Sequence, residues 1–413
     1  MSLIQPFAGL RPAPGRAAEV AAPPYDVLNT AEARRLVEGR PWSFLHISRA
    51  EVDLPEDTDP YASEVYAKAH ENLERMLAEG VLVRDPEPYY YVYRLIRGEH
   101  VQTGLVVSAS IADYDAGRIK KHEFTRPSKE DDRVRQIQAL DAQTGPVLLA
   151  YRATPEIDRT LAAVAADQPP EVDITATDGV RHQLWPVVGR GVIEHLTQAF
   201  ERLDSLYIAD GHHRSAAASR VAASRRCGDQ DGEAAEVHQG FLAVVFPHDQ
   251  MRILDYNRLV RDLNGLDAGA FLERVAERFT VEPSGTPVSP ERPGVFGMYL
   301  QDVWYRLTLS DAIPPAADPV AALDVSRLQE HLLGPILGIQ DPRRDERIDF
   351  VGGIRGLAGL TARVDSGEMA VAFALHPTRL EELMAVADRG DVMPPKSTWF
   401  EPKLADGLVS LVL

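Results

Sequence analysis

Along residues 62–79, ASEVYAKAHENLERMLAE, apolar positions recur at the three-to-four spacing of a helix face, and Gly80 follows as a C-cap. The period then changes. YYYVYRLI (89–96) and VQTGLVVSASI (101–111) are β-rich runs joined by the polar RGEH, which predicts a hairpin. Charged residues crowd into GRIKKHEFTRPSKEDDR (117–133), and residues 153–180, with Pro155, Pro169, Pro170 and scattered acids, read as a linker or peripheral excursion.

Beyond residue 200 strands and helices alternate. LYIA (206–209) predicts a strand and HRSAAASRVAASRR (213–226) a helix; FLAVVF (241–246) is a second strand and GAFLERVAERF (269–279) a second helix. EPSGTPVSPERP (282–293) is a Pro-rich loop before the strands VFGMYL and VWYRLTL. RIDFVGG (347–353) and MAVAFAL (369–375) read as strands, and TRLEELMAVADRG (378–390) as a helix capped by Gly390. The pattern predicts a mixed α/β, or α+β, architecture without repeats. It divides the chain into an N-terminal lobe (1–152) with the hairpin and charged block, the excursion at 153–180, and a C-terminal lobe (181–413).

Composition narrows the class. The chain has 413 residues, enough for two or three units, and 45% of them are hydrophobic. No apolar run reaches the roughly 18 residues of a membrane span, the N-terminus lacks a secretory pattern, and the single cysteine, Cys227, leaves no internal disulfide. A cytoplasmic setting is the expectation. The net charge of −18 repels a phosphate backbone, which argues against nucleic acid as partner while leaving a local pocket for small anions. The oligomeric state is not legible.

The densest chemistry is LYIADGHHR (206–214). A strand that runs through Asp-Gly into a helix leaves the first helical amides outward beside the positive end of the helix dipole, a place suited to anions. Gly211 lets backbone approach a ligand, Arg214 can fork onto a phosphate, and His212 or His213 can donate to it or shuttle a proton. Asp210 either caps the helix, takes a hydroxyl proton, or holds Mg²⁺.

Further segments offer lesser candidates. FVGGIRG places Gly352, Gly353 and Arg355 between a strand and a helix, but has neither the Walker lysine nor a dinucleotide glycine pattern; it is a phosphate-side turn or a plain one. MPPKSTWFEPK sets Lys396 and Lys403 around Trp399 and Phe400, which either close over a nucleotide, ring on base and Lys396 on phosphate, or pin the chain to a core. APPYDV is read as a structural corner stiffened by Pro23-Pro24. One cysteine and scattered histidines, with only His212-His213 adjacent, argue against a zinc cage.

Two resemblances add to this. Asp210-Gly211-His212-His213-Arg214 resembles the Asp-Gly-His-His-Arg motif of the free serine kinases of the ParB/sulfiredoxin-like superfamily, which implies a ParB/sulfiredoxin-like core and phosphate transfer from ADP or ATP to a serine hydroxyl. PFAGLRP, APPYDVLN, SFLHISR, IKKHEFTR, KEDDR, YIADGHHR, DYNRLVRDLNG, DFVGGIRG and MPPKSTWFEPKL together resemble the bacterial family called domain of unknown function 1015. That resemblance carries no settled reaction, but its members often sit among serine-biosynthesis genes. It turns the charged block toward a site, with Lys121, Arg126 and Arg133 on phosphate and Glu123 or Glu130 as base or metal ligand.

The expectation is a phosphotransferase using ATP or ADP with Mg²⁺ on a small hydroxyl substrate related to serine or phosphoserine. Asp210, His212, His213 and Glu123 are its catalytic candidates. Gly211, Arg214, Lys121, Arg126, Arg133, Gly352, Gly353, Arg355, Lys396 and Trp399 are its phosphate or nucleotide contacts. Alternatives are a phosphate-ester hydrolase at the same site, or a non-catalytic nucleotide-sensing or DNA-binding module.

Overall fold

The computed structural model describes residues 2–228, 239–314 and 316–413; the side chains of Cys227 and Gly228 lie outside the described ones. The chain forms two compact units, Met1–Met251 with Pro402–Leu413, and Arg252–Glu401. Both mix helices and sheets, as the alternating periodicities predict.

The first unit is built on a nine-stranded sheet: β1 (Ile4–Gln5), β2 (Tyr90–Arg97), β3 (His100–Ser110), β4 (Ile119–Lys120), β5 (Val147–Tyr151), β6 (Val172–Thr175), β7 (Arg181–Val187), β8 (Leu206–Asp210) and β9 (Gly240–Pro247). Their order is β4-β8-β5-β9-β3-β2-β7-β6, with β1 beside β3. Every residue of β5 and β9 is buried, which is why VLLAY and GFLAVVFP are continuous apolar runs rather than alternating ones. β2 and β3 form the predicted hairpin, with Arg97 opposite His100 across a two-residue turn.

The helices follow from amphipathic spacing. In α1 (Ser63–Ala78) the buried set Val65, Tyr66, Ala69, Asn72, Leu73 and Met76 steps by three and four, and Gly80 stops the helix at φ 62°. Each fully buried Leu or Met there contributes about 1.5–3 kcal/mol of apolar transfer, so Met76→Ala would cost about 2–5 kcal/mol. The charged block holds β4 and then α2 (Pro127–Leu140), opened by Pro127 at its first turn.

The expected linker is structured. Residues Pro155–Asp167 form α3, which buries Ile157 and Leu161, and β6 follows. Pro155 begins this helix rather than breaking it, and with only Ile157 and Leu161 buried its apolar stripe is short. The lobe division differs accordingly. The nine-stranded sheet continues through 153–180 to β9, so the first unit extends to Met251 and takes back Pro402–Leu413, where Ser410–Val412 pairs with Gly9–Pro12 and Ala142–Gln143. Two further helices, α4 (Arg190–Glu201) and α5 (His212–Gly228), pack on the sheet.

The second unit holds a six-stranded sheet in the order Phe279–Ser284, Val303–Leu309, Val295–Leu300, Val371–Ala374, Tyr256–Val260, Ile348–Gly352, all neighbours antiparallel. Gln301 and Asp302, both at positive φ, make the tight turn between the predicted strands Val295–Leu300 and Val303–Leu309. Helix Gly356–Asp365 follows the GGIRG turn, and Leu380–Asp388 ends before Gly390.

Candidate functional site

β4 and β8 are parallel neighbours, Ile119 beside Leu206 and Lys120 beside Tyr207. Their carboxyl ends therefore lie together, and the segments that follow, Lys121-His122-Glu123 and Gly211-His212-His213, emerge at one place. Ala209 is a bulge: Ile208 pairs with Leu149 but Asp210 pairs with Leu148, so the last residue of the strand is re-aimed. Gly211 then turns at φ 99°, and α5 begins.

The two histidines hold the other segment. His212 Nε2 accepts from the His122 amide at 3.4 Å, and His213 Nε2 accepts from the Arg126 amide at 3.0 Å. The His122 and His212 rings meet edge to face with centroids 4.5 Å apart. Burial lowers both: His122 is pushed down to about 4, and His212 lies well below the usual histidine value, with His122 adding to the effect. Both rings are neutral at physiological pH, as is His213, whose value burial also lowers.

Arg214 points inward rather than out of the helix mouth. Its NH1 donates to the Pro146 carbonyl, its NH2 lies 3.6 Å from Asp210 and 3.8 Å from Asp26, and its Nε is buried without a partner. It lines a cavity of about 30 Å³ together with Tyr25, Ser48, Arg133, Thr144 and Asp406. Ser48 Oγ and Asp406 Oδ1 are also buried there without partners. The space suits the head of a small polar ligand, about one water in size.

Charge in this region is tightly organised. Burial works against an ionised Asp210, yet Lys403 and Arg214, with a 3.2 Å hydrogen bond from Lys403 Nζ, hold it far below the usual carboxylate range. Both oxygens of Asp210 thus face cations, so Asp210 is a poor Mg²⁺ ligand, contrary to the sequence expectation. Asp406 goes the other way: burial pushes it up to about 7, against Arg214, with Asp26 adding to the rise.

The remaining predicted contacts of the first unit are placed as follows. Glu123, half exposed, has Oε2 3.6 Å from His212 Nδ1. Lys121 sits over the Tyr114 ring at 3.7 Å, the Arg126 side chain is exposed beside His213, and Arg133 stacks on Tyr25 at 4.0 Å while bonding Asp132 at 2.8 Å. Glu130 accepts from Thr125 and from Arg220, which commits it to holding α2 against α5. In the second unit, Gly352, Arg355 and Trp399 line a cavity of about 560 Å³ with Tyr256, Phe350 and Arg363. Lys396 lies over Tyr256 at 5.6 Å, and Gly353 packs against Asp255.

A family profile described as protein of unknown function (DUF1015) matches residues 4–326. The chain belongs to that family. No curated protein matches it. Among solved structures, a free serine kinase in complex with AMP is 15% identical, with 71% of this chain and 86% of that one covered at a TM-score of 0.35. A conserved hypothetical protein from Pyrococcus furiosus is 15% identical over 75% and 96% at 0.34, and C-terminally truncated SbnI from Staphylococcus aureus 12% over 73% and 85% at 0.35.

In this DUF1015 chain the cavity also draws on residues that sequence reasoning left aside. Tyr25, assigned to a structural corner, lines it, and Asp26 faces Arg214. The stiff Pro23-Pro24 was the signal, since a rigid segment holds its next side chains in fixed directions. Asp406 carried no signal, being one acid among the 62 Asp and Glu of the chain. No helix of the described residues is long and apolar enough to cross a membrane.

Proposed function

We propose that the chain is a nucleotide-dependent phosphotransferase that moves a phosphoryl group from ATP or ADP to the hydroxyl of a small serine-like acceptor, or runs the reverse from phosphoserine. The observation that carries this reading is the meeting, at the ends of β4 and β8, of the α5 helix mouth, the Glu123 carboxylate and the polar cavity under Arg214. Phosphoryl transfer asks chiefly for positioning and charge neutralisation, and these are the parts present.

The phosphates rest on the amides that open α5, beside the positive helix end, where Gly211 permits close approach. Mg²⁺ enters as part of the nucleotide substrate. The acceptor oxygen attacks phosphorus, its proton passes to Glu123, and the bond to the leaving phosphate breaks. The task is assigned to Glu123 rather than to Asp210, whose two cationic neighbours make it a weak base. Asp210 instead fixes Lys403 and Arg214. The neutral His212 and His213 hold the segment of Glu123 through backbone amides, and the cavity takes the acceptor's polar head, near Arg214 and Asp406. The resemblance of Asp210-Gly211-His212-His213-Arg214 to the Asp-Gly-His-His-Arg motif supports the same reading.

Phosphorus NMR tests it. The protein is given ATP or ADP, Mg²⁺ and L-serine in one tube and O-phosphoserine with ADP in another, beside Glu123→Gln. Phosphoserine, or new nucleotide phosphate in the reverse tube, absent in the variant, is the expected result. Inorganic phosphate released from O-phosphoserine alone would replace transfer with hydrolysis, and unchanged spectra would overturn both.

A further inference from the structure

A ring nitrogen of His122, one of His212 and a carboxylate oxygen of Glu123 all lie within 4.8 Å of one another. The first two residues are buried, and Glu123 closes the group from the solvent side. The decisive detail is the state of His122. Its Nδ1 is buried with no hydrogen-bond partner. A buried imidazole nitrogen with an unused lone pair, facing a second imidazole and a carboxylate, is the arrangement metal-binding histidines adopt. A buried acceptor left without a partner otherwise costs about 1–3 kcal/mol of desolvation.

His212 is held only by long contacts. Its Nε2 contact to the His122 amide is 3.4 Å and its Nδ1 contact to Glu123 is 3.6 Å, both longer than a firm hydrogen bond of about 2.7–3.2 Å. Either nitrogen is open to a stronger partner.

From this geometry we infer that His122, Glu123 and His212 form a binding site for a divalent first-row transition-metal ion. Two imidazoles and one carboxylate suit Zn²⁺, Co²⁺, Mn²⁺ or Fe²⁺, whereas Mg²⁺ prefers oxygen donors. Three donors no farther apart than 4.8 Å put a central ion within about 2.8 Å of each, and bonds of about 2.0–2.2 Å then need only a small inward swing. Glu123, half exposed on a loop, can supply it. Three protein ligands leave further positions for water or a substrate oxygen. The site stands on these contacts alone and does not depend on the phosphotransferase reading; with an ion bound, Glu123 is a ligand and no longer the proton acceptor of that reaction.

The test uses untagged full-length protein, stripped with a chelator and titrated with Co²⁺ and then Zn²⁺, without nucleotide. The expected result is one equivalent of Co²⁺ with a visible absorption band, displaced by Zn²⁺ and unaffected by millimolar Mg²⁺. Glu123→Gln, at a half-exposed position that leaves the fold intact, should weaken binding at least tenfold, and His212→Gln should abolish the band. Absence of stoichiometric binding in the unaltered protein, or binding that both variants leave unchanged, overturns the inference. Lost phosphate transfer with retained Co²⁺ binding would instead remove only the proposed reaction.

Discussion

The guanidinium of Arg214 lies against the face of Gly211, where a Cβ would sit 3.0 Å from Nε and 3.1 Å from Cζ. The arginine therefore disfavours any larger residue at 211, and the positive φ of 99° disfavours it a second time. Gly211→Ala should lower stability by about 1–3 kcal/mol, read by denaturant unfolding, and should dislodge Arg214 enough to end the proposed phosphate transfer.

Charge alone does not describe Arg214, because its fork reaches the Pro146 carbonyl, Asp26 and Asp210 at once. Arg214→Lys keeps the charge but cannot span them. Transfer measured by phosphorus NMR should fall about 100-fold while the far-ultraviolet dichroism stays native. Full activity in this variant would remove Arg214 from the site.

Asp406 makes the first unit sensitive to pH. Burial raises its folded pKa to about 7, above the ordinary aspartate value, with Arg214 and Arg133 opposing and Asp26 adding to the rise. A raised pKa means that the native state holds a proton the unfolded chain has released. The associated stability is complete below about pH 4 and is lost as pH climbs through 7. Asp406→Asn should abolish this decline, so the difference in unfolding free energy between variant and parent should grow between pH 4 and 7. Parallel curves would contradict the assignment.

In the second unit a Cβ on Gly352 would meet the Trp399 ring at 2.6 Å. Trp399 in turn lies edge to face with Tyr256 at 5.5 Å and bonds Glu401 through its indole N–H. Gly352→Ala should push the ring out of this nest, shift the tryptophan fluorescence and lower the melting temperature by several degrees. An unshifted spectrum would show that the ring has room to spare.

Much of this was legible because local chemistry and tertiary role agree. The run VLLAY is apolar since it is buried on both faces, and the Asp-Gly that ends β8 makes the turn it promised. The helix over 155–167 escaped because Pro155 reads as a breaker unless its position at the first turn is known. The grouping of His122 with His212 could not be read from spacing, as 90 residues separate them and only the parallel pairing of β4 with β8 joins their segments. Lys403 and Asp406 were hidden for a similar reason: in the sequence they rejoin the first unit only after the whole of the second.

That return has a temporal side. Asp210 leaves the ribosome long before its partner Lys403, and the whole of Arg252–Glu401 is made in between. Through that interval the nascent first unit carries a buried aspartate without its lysine and lacks the strand Ser410–Val412 beside Gly9–Pro12. Synthesis itself thus imposes an order: the second unit is free to fold while the first is still waiting, and the chemistry at the mouth of α5 is the last thing to be finished.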